Sequence, residues 1–158
     1  MGLVLSRAEL KEAILAQRDA GRKIVTTNGC FDILHVGHVR FLKQAQNLGD
    51  ILVVGVNTDE SVKRLKGPTR PLNSAEDRAE ILAALECVDF VTLFPEDTPV
   101  EFLKIVKPNF HAKGADYKTS DLAETPVVES FGGQVKIIEL VPEKSTTGMV
   151  AKIRNAGS

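Results

Sequence analysis

The feature that most constrains the fold is a continuous apolar run at residues 51–56, with the sequence ILVVGV. A strand with one face in water alternates apolar and polar residues, whereas a strand covered on both faces is apolar throughout. Strands of the second kind belong to parallel sheets that carry helices on both sides. The run therefore predicts an α/β protein.

Similar short runs alternate with helical patterns along the chain. The predicted strands cover residues 23–27, 50–56, 88–93, 109–113 and 134–138. Among the helices, the first begins with a capping box from Ser6 to Glu9, and another has Thr98 as its expected N-cap with Pro99 at the first helical position. This order predicts a three-layer, doubly wound parallel sheet of five strands, Rossmann-like in outline. We expect one domain over residues 1–158, with residues 1–21 as an N-terminal packing helix.

Charge and cysteine content narrow the functional classes. The 20 Lys and Arg residues balance 21 Asp and Glu residues, for a net charge of −1, so no basic excess indicates nucleic-acid binding. The 2 cysteines are too few for a disulfide framework and lack metal-ligand spacing. The sequence shows neither a signal-peptide pattern nor a run of membrane-spanning length. These observations predict a cytoplasmic protein with neither a nucleic acid nor a membrane as partner.

The richest stretch chemically is residues 26–38, where a predicted strand ends and a predicted helix begins. His35 and His38 flank Gly37 at this junction. In a parallel sheet such a junction lies at the carboxyl-end crevice, where ligands bind. A helix start offers free N–H groups and a partial positive charge to phosphate, and Gly37 leaves room for its approach.

Other chemistries for this stretch are less well supported. The two histidines lack zinc-type partners, and Cys30 with His35 as a thiol–imidazole pair lacks the other features of a thiol enzyme. The sequence contains no P-loop and no dinucleotide-binding glycine motif. His111, inside a predicted strand, is interpreted as a satisfied core or edge histidine. The favoured interpretation is that the imidazoles of His35 and His38 bind phosphate.

Further candidate residues follow other predicted strands. A basic segment contains Lys63, Arg64, Lys66 and Arg70. This segment is either a solvated loop or a mobile lid that brings cations to a triphosphate, and the sequence leaves both open. Arg78 lies in the first turn of a helix, where a cation opposes the helix dipole, which indicates an anionic partner: a ligand or a neighbouring carboxylate. Three consecutive hydroxyls at residues 145–147 exceed the needs of one N-cap.

The tetrapeptide at residues 35–38 matches the His-x-Gly-His motif of the nucleotidyltransferase superfamily, and residues 145–147 resemble its second signature. Other strings narrow the resemblance. They are residues 27–35, 57–59, 64–67, 70–71, 97–99 and 113–117. Together, over nearly the whole chain, they resemble the adenylyltransferase domains of bacterial ADP-heptose synthesis enzymes.

This resemblance implies a nucleotidyltransferase fold and a reaction. AMP would pass from ATP to D-glycero-β-D-manno-heptose 1-phosphate, which yields pyrophosphate and ADP-heptose, a lipopolysaccharide core precursor. The resemblance also implies Mg²⁺ bound with ATP, and a homodimer. Two alternatives stay open: a cytidylyltransferase for glycerol 3-phosphate or another alcohol or sugar phosphate, and a catalytically silent nucleotide-binding module.

The resemblance also assigns roles to residues. The expected catalytic residues are His35, His38 and Lys66. The expected nucleotide-binding residues are Asn28, Gly29, Cys30, Phe31, Asp32, Gly37, Lys63, Asp116, Ser145, Thr146 and Thr147. The expected substrate-binding residues are Asn57, Arg70 and Arg78, and no residue is expected to bind a metal directly. Lys43 is a further candidate phosphate contact, and Lys144 takes the place of an arginine that related glycerol-phosphate cytidylyltransferases carry.

Overall fold

A computed structural model describes residues 2–139, and the hydroxyl cluster at residues 145–147 and Lys144 lie outside this range. The strands are β1 (Leu3–Val4), β2 (Ile24–Gly29), β3 (Ile51–Asn57), β4 (Phe90–Phe94), β5 (Phe110–Gly114) and β6 (Gln134–Ile138). The helices are α1 (Arg7–Asp19), α2 (Val36–Gln46), α3 (Asp59–Lys66), α4 (Ala75–Ala83), α5 (Val100–Val106) and α6 (Glu124–Ser130), with a 3₁₀ turn at Thr119–Asp121.

The strands form one parallel sheet in the order β1-β4-β3-β2-β5-β6. The α/β class and all five predicted strands are confirmed. The predicted count is wrong by one, because β1 adds a sixth strand at the edge beside β4. β1 has only two residues, both largely exposed, so it carries neither an alternating nor a continuous apolar pattern.

Strand order determines where ligands can bind. From β2 the chain moves through β3 to β4 on one side, and it then returns to place β5 on the other side of β2. The direction of winding therefore reverses between β2 and β5, and in open α/β sheets the crevice at such a point is the usual ligand site. The carboxyl ends of β2, β3 and β5 face this crevice.

The sheet is covered on both faces. One apolar cluster joins α2 and α4 to the sheet, with Leu42, Leu82 and Val54 in its centre. The other joins α1, α5 and α6 to the opposite face around Leu10, Phe102 and Val53. Every residue of β3 is buried, as expected for a central strand between two helical layers.

Helix starts match the sequence patterns unevenly. The capping box of α1 is confirmed, since Ser6 and Glu9 each bond to the other's backbone N–H. The expected cap of α5 is wrong by one residue: Pro99 occupies the N-cap position and no side chain caps it. Thr98 instead lies exposed at the rim of the crevice.

Candidate active site

The first wall of the crevice is built by the start of α2, and we call His35, Gly37 and His38 the histidine face. His35 is the N-cap, and its Nδ1 accepts a hydrogen bond from the Gly37 N–H at 3.1 Å. The Nδ1 of His38 accepts from the His35 N–H at 3.3 Å. The two rings are stacked, with centroids 3.9 Å apart. A ring nitrogen that accepts a hydrogen bond carries no proton, so in both rings Nδ1 is unprotonated and a ring proton lies on Nε2.

The protonation state of His38 follows from its surroundings. Burial, reinforced by the nearby His35 and Lys66, lowers the pKa of His38 to about 4. The ring is therefore neutral near pH 7, and it acts there as a hydrogen-bond donor through Nε2–H. Such a donor can stabilise charge on a phosphate oxygen without itself transferring a proton.

One expectation about this helix start is corrected by the structure. We expected its backbone N–H groups to be free for phosphate, but the Gly37 N–H is already bonded to the His35 ring. A helix leaves its first N–H groups without intrahelical partners, and an N-cap side chain is a common partner for them. The histidine face therefore offers the ring N–H of His38 where free Gly37 backbone was expected.

A cleft of about 620 Å³ lies at the carboxyl ends of β2, β3 and β5. It brings together most of the predicted site residues. Those that line it are Asn28, Gly29, Cys30, Phe31, Asp32, His35, Gly37, His38, Asn57, Lys66, Arg70 and Asp116. Lys43, Lys63 and Arg78 are not among the lining residues. The segments that supply the lining are far apart in sequence, and the topology of the sheet unites them.

The basic segment after β3 is divided by the structure. Lys63, Arg64 and Lys66 lie on the last turn of α3, and Lys66 alone of these lines the cleft. Arg64 pairs with Asp97 at 2.9 Å. The hypothesis that this segment is a mobile lid stays a prediction. Its C-terminal end, at Arg70, is bonded to the wall of the cleft.

Arg70 is nearly buried, and its Nε donates to Asp32 Oδ2 at 2.7 Å. Asp32 also accepts from the backbone N–H groups of Leu72 and Asn73, at 2.8 Å and 2.9 Å. Burial acts to raise the pKa of Asp32, but these hydrogen bonds and the Arg70 charge outweigh burial and lower it. The ionised Asp32 therefore anchors the loop that carries Arg70 to the wall of the cleft.

Arg78 has the anionic partner that its position in the helix suggested, and that partner is a carboxylate of the protein. Its Nη2 donates to Asp59 Oδ1 at 2.7 Å. Its other N–H groups donate to the carbonyls of Cys30 (2.7 Å), Asn57 (2.8 Å) and Asn73 (3.0 Å). The side chain is fully buried. Arg78 thus ties the ends of β2 and β3 to the loop before α4, and its expected contact with substrate stays a prediction.

The thiol hypothesis for Cys30 is disfavoured. Burial raises the pKa of the Cys30 thiol, with the charges of Lys66 and Arg78 only partly opposing it. A catalytic cysteine requires a lowered pKa, because the thiolate is the nucleophile. Cys30 Sγ lies 3.9 Å from Asn57 Oδ1, which fits a packed thiol in a turn.

A second wall of the cleft is formed by Lys113, Tyr117 and Glu124, with His111 beneath them, and we call it the lysine face. The sequence resemblance covered residues 113–117 and indicated Asp116 there, but it named neither Lys113 nor Glu124 as a site residue. Lys113 is the last residue but one of β5, and it donates to Asn28 Oδ1 at 3.3 Å. Its Nζ lies 3.8 Å from Glu124 Oε1 and 4.8 Å from the centre of the Tyr117 ring. A lysine just before Gly114 at a strand end was the signal that could have indicated this wall.

His111 lies beneath the lysine face, fully buried within β5. Its Nδ1 shares a hydrogen bond with Thr26 Oγ1 at 2.8 Å. Its Nε2 has no hydrogen-bond partner and lies 3.8 Å from Glu124 Oε1. Its expected place in the core is confirmed, but only one of its two ring nitrogens is satisfied.

Residues 2–139 contain neither a metal-binding cluster nor a membrane-spanning helix. No group of three or more His, Cys, Asp or Glu side chains there could hold a metal ion. None of the helices in this range has the length and apolar character needed to cross a membrane.

A parallel sheet with a cleft at its winding reversal, lined by a His-x-Gly-His helix start, agrees with the nucleotidyltransferase resemblance of the sequence. A model of the cytidylyltransferase-like family matches residues 26–154. The chain belongs to the cytidylyltransferase-like family.

Curated relatives include the bifunctional protein HldE of Syntrophotalea carbinolica, 48% identical over 93% of this chain. The bifunctional protein HldE of Geotalea uraniireducens is 50% identical over 92% of this chain. The chain spans 30% of the length of both relatives.

A solved structure is also similar. It is the crystal structure of the lipopolysaccharide core biosynthesis protein from Thermoplasma volcanium, which matches with a TM-score of 0.64 at 33% identity. The match covers 77% of this chain and 98% of that protein's chain.

Proposed function

We propose that this protein transfers AMP from ATP to D-glycero-β-D-manno-heptose 1-phosphate, releasing pyrophosphate and forming ADP-heptose for lipopolysaccharide core synthesis. The observation that carries the proposal is the stacked, backbone-fixed pair of His35 and His38 on the wall of the cleft. The similarity to the HldE proteins and to a lipopolysaccharide core biosynthesis protein supports the choice of substrate.

In the proposed reaction a phosphate oxygen of the sugar 1-phosphate attacks the α-phosphorus of ATP. A new P–O bond forms, the bond between the α-phosphorus and the bridging oxygen to the β-phosphate breaks, and pyrophosphate leaves with the electron pair. The protein contributes by orienting the reactants in line and by stabilising the developing charge. The neutral His38 donates Nε2–H toward an oxygen of the α-phosphate, and Lys66 supplies positive charge on the α3 side of the cleft.

We propose Mg²⁺ as the metal that accompanies ATP. Mg²⁺ commonly binds through substrate phosphates and one or two carboxylates rather than in an all-protein cage. Asp116 and Asp121 line the cleft and offer carboxylate oxygens of the type that Mg²⁺ prefers, so the residues fit an ion held mainly by the triphosphate. When bound, Mg²⁺ would neutralise charge on the triphosphate.

A second candidate is transfer of CMP from CTP to glycerol 3-phosphate or a similar acceptor, and the description of the matching family as cytidylyltransferase-like favours it. Pyrophosphate release separates the two candidates. The protein should be incubated with Mg²⁺ and either ATP plus heptose 1-phosphate or CTP plus glycerol 3-phosphate. We expect turnover in the first mixture. Turnover in the second mixture alone would overturn the adenylyl proposal.

A further inference from the structure

The lysine face contains polar groups whose bonding capacity the protein does not use. The Lys113 side chain is 11% exposed and makes one hydrogen bond, to Asn28. An ammonium group has three donors, and a buried donor without a partner is costly. Lys113 therefore has N–H groups available to an oxygen of a bound molecule.

The carboxylate beside Lys113 is in a similar position. Glu124 Oε1 lies 3.8 Å from both Lys113 Nζ and His111 Nε2, beyond hydrogen-bond distance in each case. The Glu124 side chain is 6% exposed, and His111 Nε2 beneath it is fully buried without a hydrogen-bond partner. A charged acceptor and a charged donor thus stand side by side at the cleft, and both retain bonding capacity.

The charge balance of the lysine face indicates what kind of group it accepts. Glu124 and Asp116 together outweigh the positive charge of Lys113. This wall is therefore poorly suited to a triphosphate, which is better matched by the histidine face and Lys66. A neutral group that can both donate and accept hydrogen bonds suits a mixed pair of this kind. The exposed Tyr117 ring, held over Lys113, adds a flat apolar surface.

We infer that Lys113 and Glu124 bind adjacent hydroxyl groups of a sugar ring, with one hydroxyl accepting from the Lys113 ammonium and its neighbour donating to the Glu124 carboxylate. This inference rests on the proposed function, which brings two sugars to the cleft: the ribose of the nucleotide and the acceptor sugar. Both present neighbouring hydroxyls, and the experiment distinguishes them.

The test compares hydroxyl-bearing and hydroxyl-deleted ligands in wild type, Lys113→Met and Glu124→Gln. One arm measures the affinity of ATP, 2′-deoxy-ATP and 3′-deoxy-ATP by calorimetry without acceptor. The other measures kcat/KM for the acceptor sugar 1-phosphate and for its deoxy analogues. A hydrogen bond to a charged group gives about 10-fold or more discrimination, which we expect in wild type and expect both variants to lose.

Exposed residues nearby provide matched controls. Glu129→Gln changes the same residue type on α6, and Lys104→Met changes an exposed lysine on α5. Both controls should keep the wild-type discrimination. Thermal unfolding of all variants separates a lost contact from a lost fold, and Lys113→Met carries the test if Glu124→Gln unfolds.

Loss of discrimination in the ATP arm assigns the lysine face to ribose, and loss in the acceptor arm assigns it to the acceptor sugar. Unchanged discrimination in both folded variants, in both arms, would overturn the inference. Failure of the proposed function looks different: wild type would release no pyrophosphate from ATP and heptose 1-phosphate. The ATP arm measures binding and needs no turnover. If wild type proves inactive, loss of discrimination between ATP and its deoxy analogues in the variants still supports the subsite, and unchanged discrimination in that arm rejects it.

Discussion

The two walls of the cleft reach their polar arrangement by different routes. The histidine face is local: its hydrogen bonds join residues two or three positions apart, and it presents the neutral ring of His38. The lysine face is assembled from β2, β5 and α6, with Thr26 and His111 separated by 85 positions, and it presents full charges. Fixed neutral donors suit a group on which charge develops, whereas a mixed charged pair suits a group that is to be recognised.

Electrostatics separates the two walls further. On the histidine face burial lowers the pKa of His38 and leaves a neutral donor. On the lysine face burial also lowers the pKa of Lys113, but the charges of Glu124 and Asp116 oppose that shift. The comparison predicts that changes on the histidine face reduce kcat, while changes on the lysine face alter KM and selectivity.

The largest expected effect is on turnover in His38→Ala. Removing one donor to developing charge typically costs about 10²–10³-fold in kcat. Thermal stability should change less than turnover, because the hydrogen bond from the His35 N–H to the ring is long, at 3.3 Å. Steady-state pyrophosphate release measures kcat and KM, with Arg40→Ala, an exposed position on α2, as control. Wild-type turnover in His38→Ala would remove the ring from the mechanism.

The next effect concerns the arginine that ties the carboxyl ends of β2 and β3 together below the cleft. Arg78→Met removes the donor to the Cys30 and Asn57 carbonyls and breaks the ion pair with Asp59. Asp59 is half-exposed, so the main cost comes from the two carbonyls left without a donor, at about 1–3 kcal/mol each in the free energy of unfolding. Arg64→Met, which breaks an exposed pair, should cost less than about 1 kcal/mol. Equal losses in urea titrations of the two variants would contradict the role given to Arg78.

A third effect depends on pH. The pKa of His38 is about 4 in the folded protein and near 6.5 when unfolded, so between these values the unfolded state binds more protons. Stability from this group is present above pH 6.5 and is lost as pH falls toward 4, by at most about 3 kcal/mol. Between pH 7 and pH 4.5 the free energy of unfolding should decrease by less in His38→Gln than in wild type. Parallel losses would show that His38 does not titrate as described.

The smallest effect is on the lysine face. Thr26→Val removes the hydroxyl bonded to His111 Nδ1 and leaves that nitrogen unpaired in the core. We expect a loss of about 1–2 kcal/mol in unfolding free energy and a larger change in KM than in kcat. Thr69→Val, at an exposed position, should change neither quantity. A drop in kcat without a change in KM in Thr26→Val would contradict the assignment of substrate binding to the lysine face.

The predictable parts of this molecule are those that depend on near neighbours in sequence. Buried strands such as β3 are recognised by continuous apolar runs in the sequence. The capping box of α1 is recognised by two residues three positions apart. The histidine face was predictable for the same reason. The edge strand β1 was not, because two exposed residues held by a neighbouring strand leave no pattern.

Pairings between distant residues escaped the sequence reasoning. A buried arginine and a phosphate-binding arginine look alike in sequence, so the partners of Arg78 and Arg70 required the fold. The Glu124 carboxylate likewise resembles any other charge at a helix start. The role of the Glu124 carboxylate becomes apparent only from its neighbours Lys113 and His111, which the sheet places beside it.

The central claim is that the histidine face works through the neutral ring of His38, protonated on Nε2. Nitrogen NMR of the imidazoles in the folded protein tests it most directly. We predict that at pH 7 His38 is neutral with its proton on Nε2, that it titrates near pH 4, and that its Nε2 signal shifts when ATP and Mg²⁺ are added. A His38 imidazolium at pH 7, or a proton on Nδ1, would contradict the account.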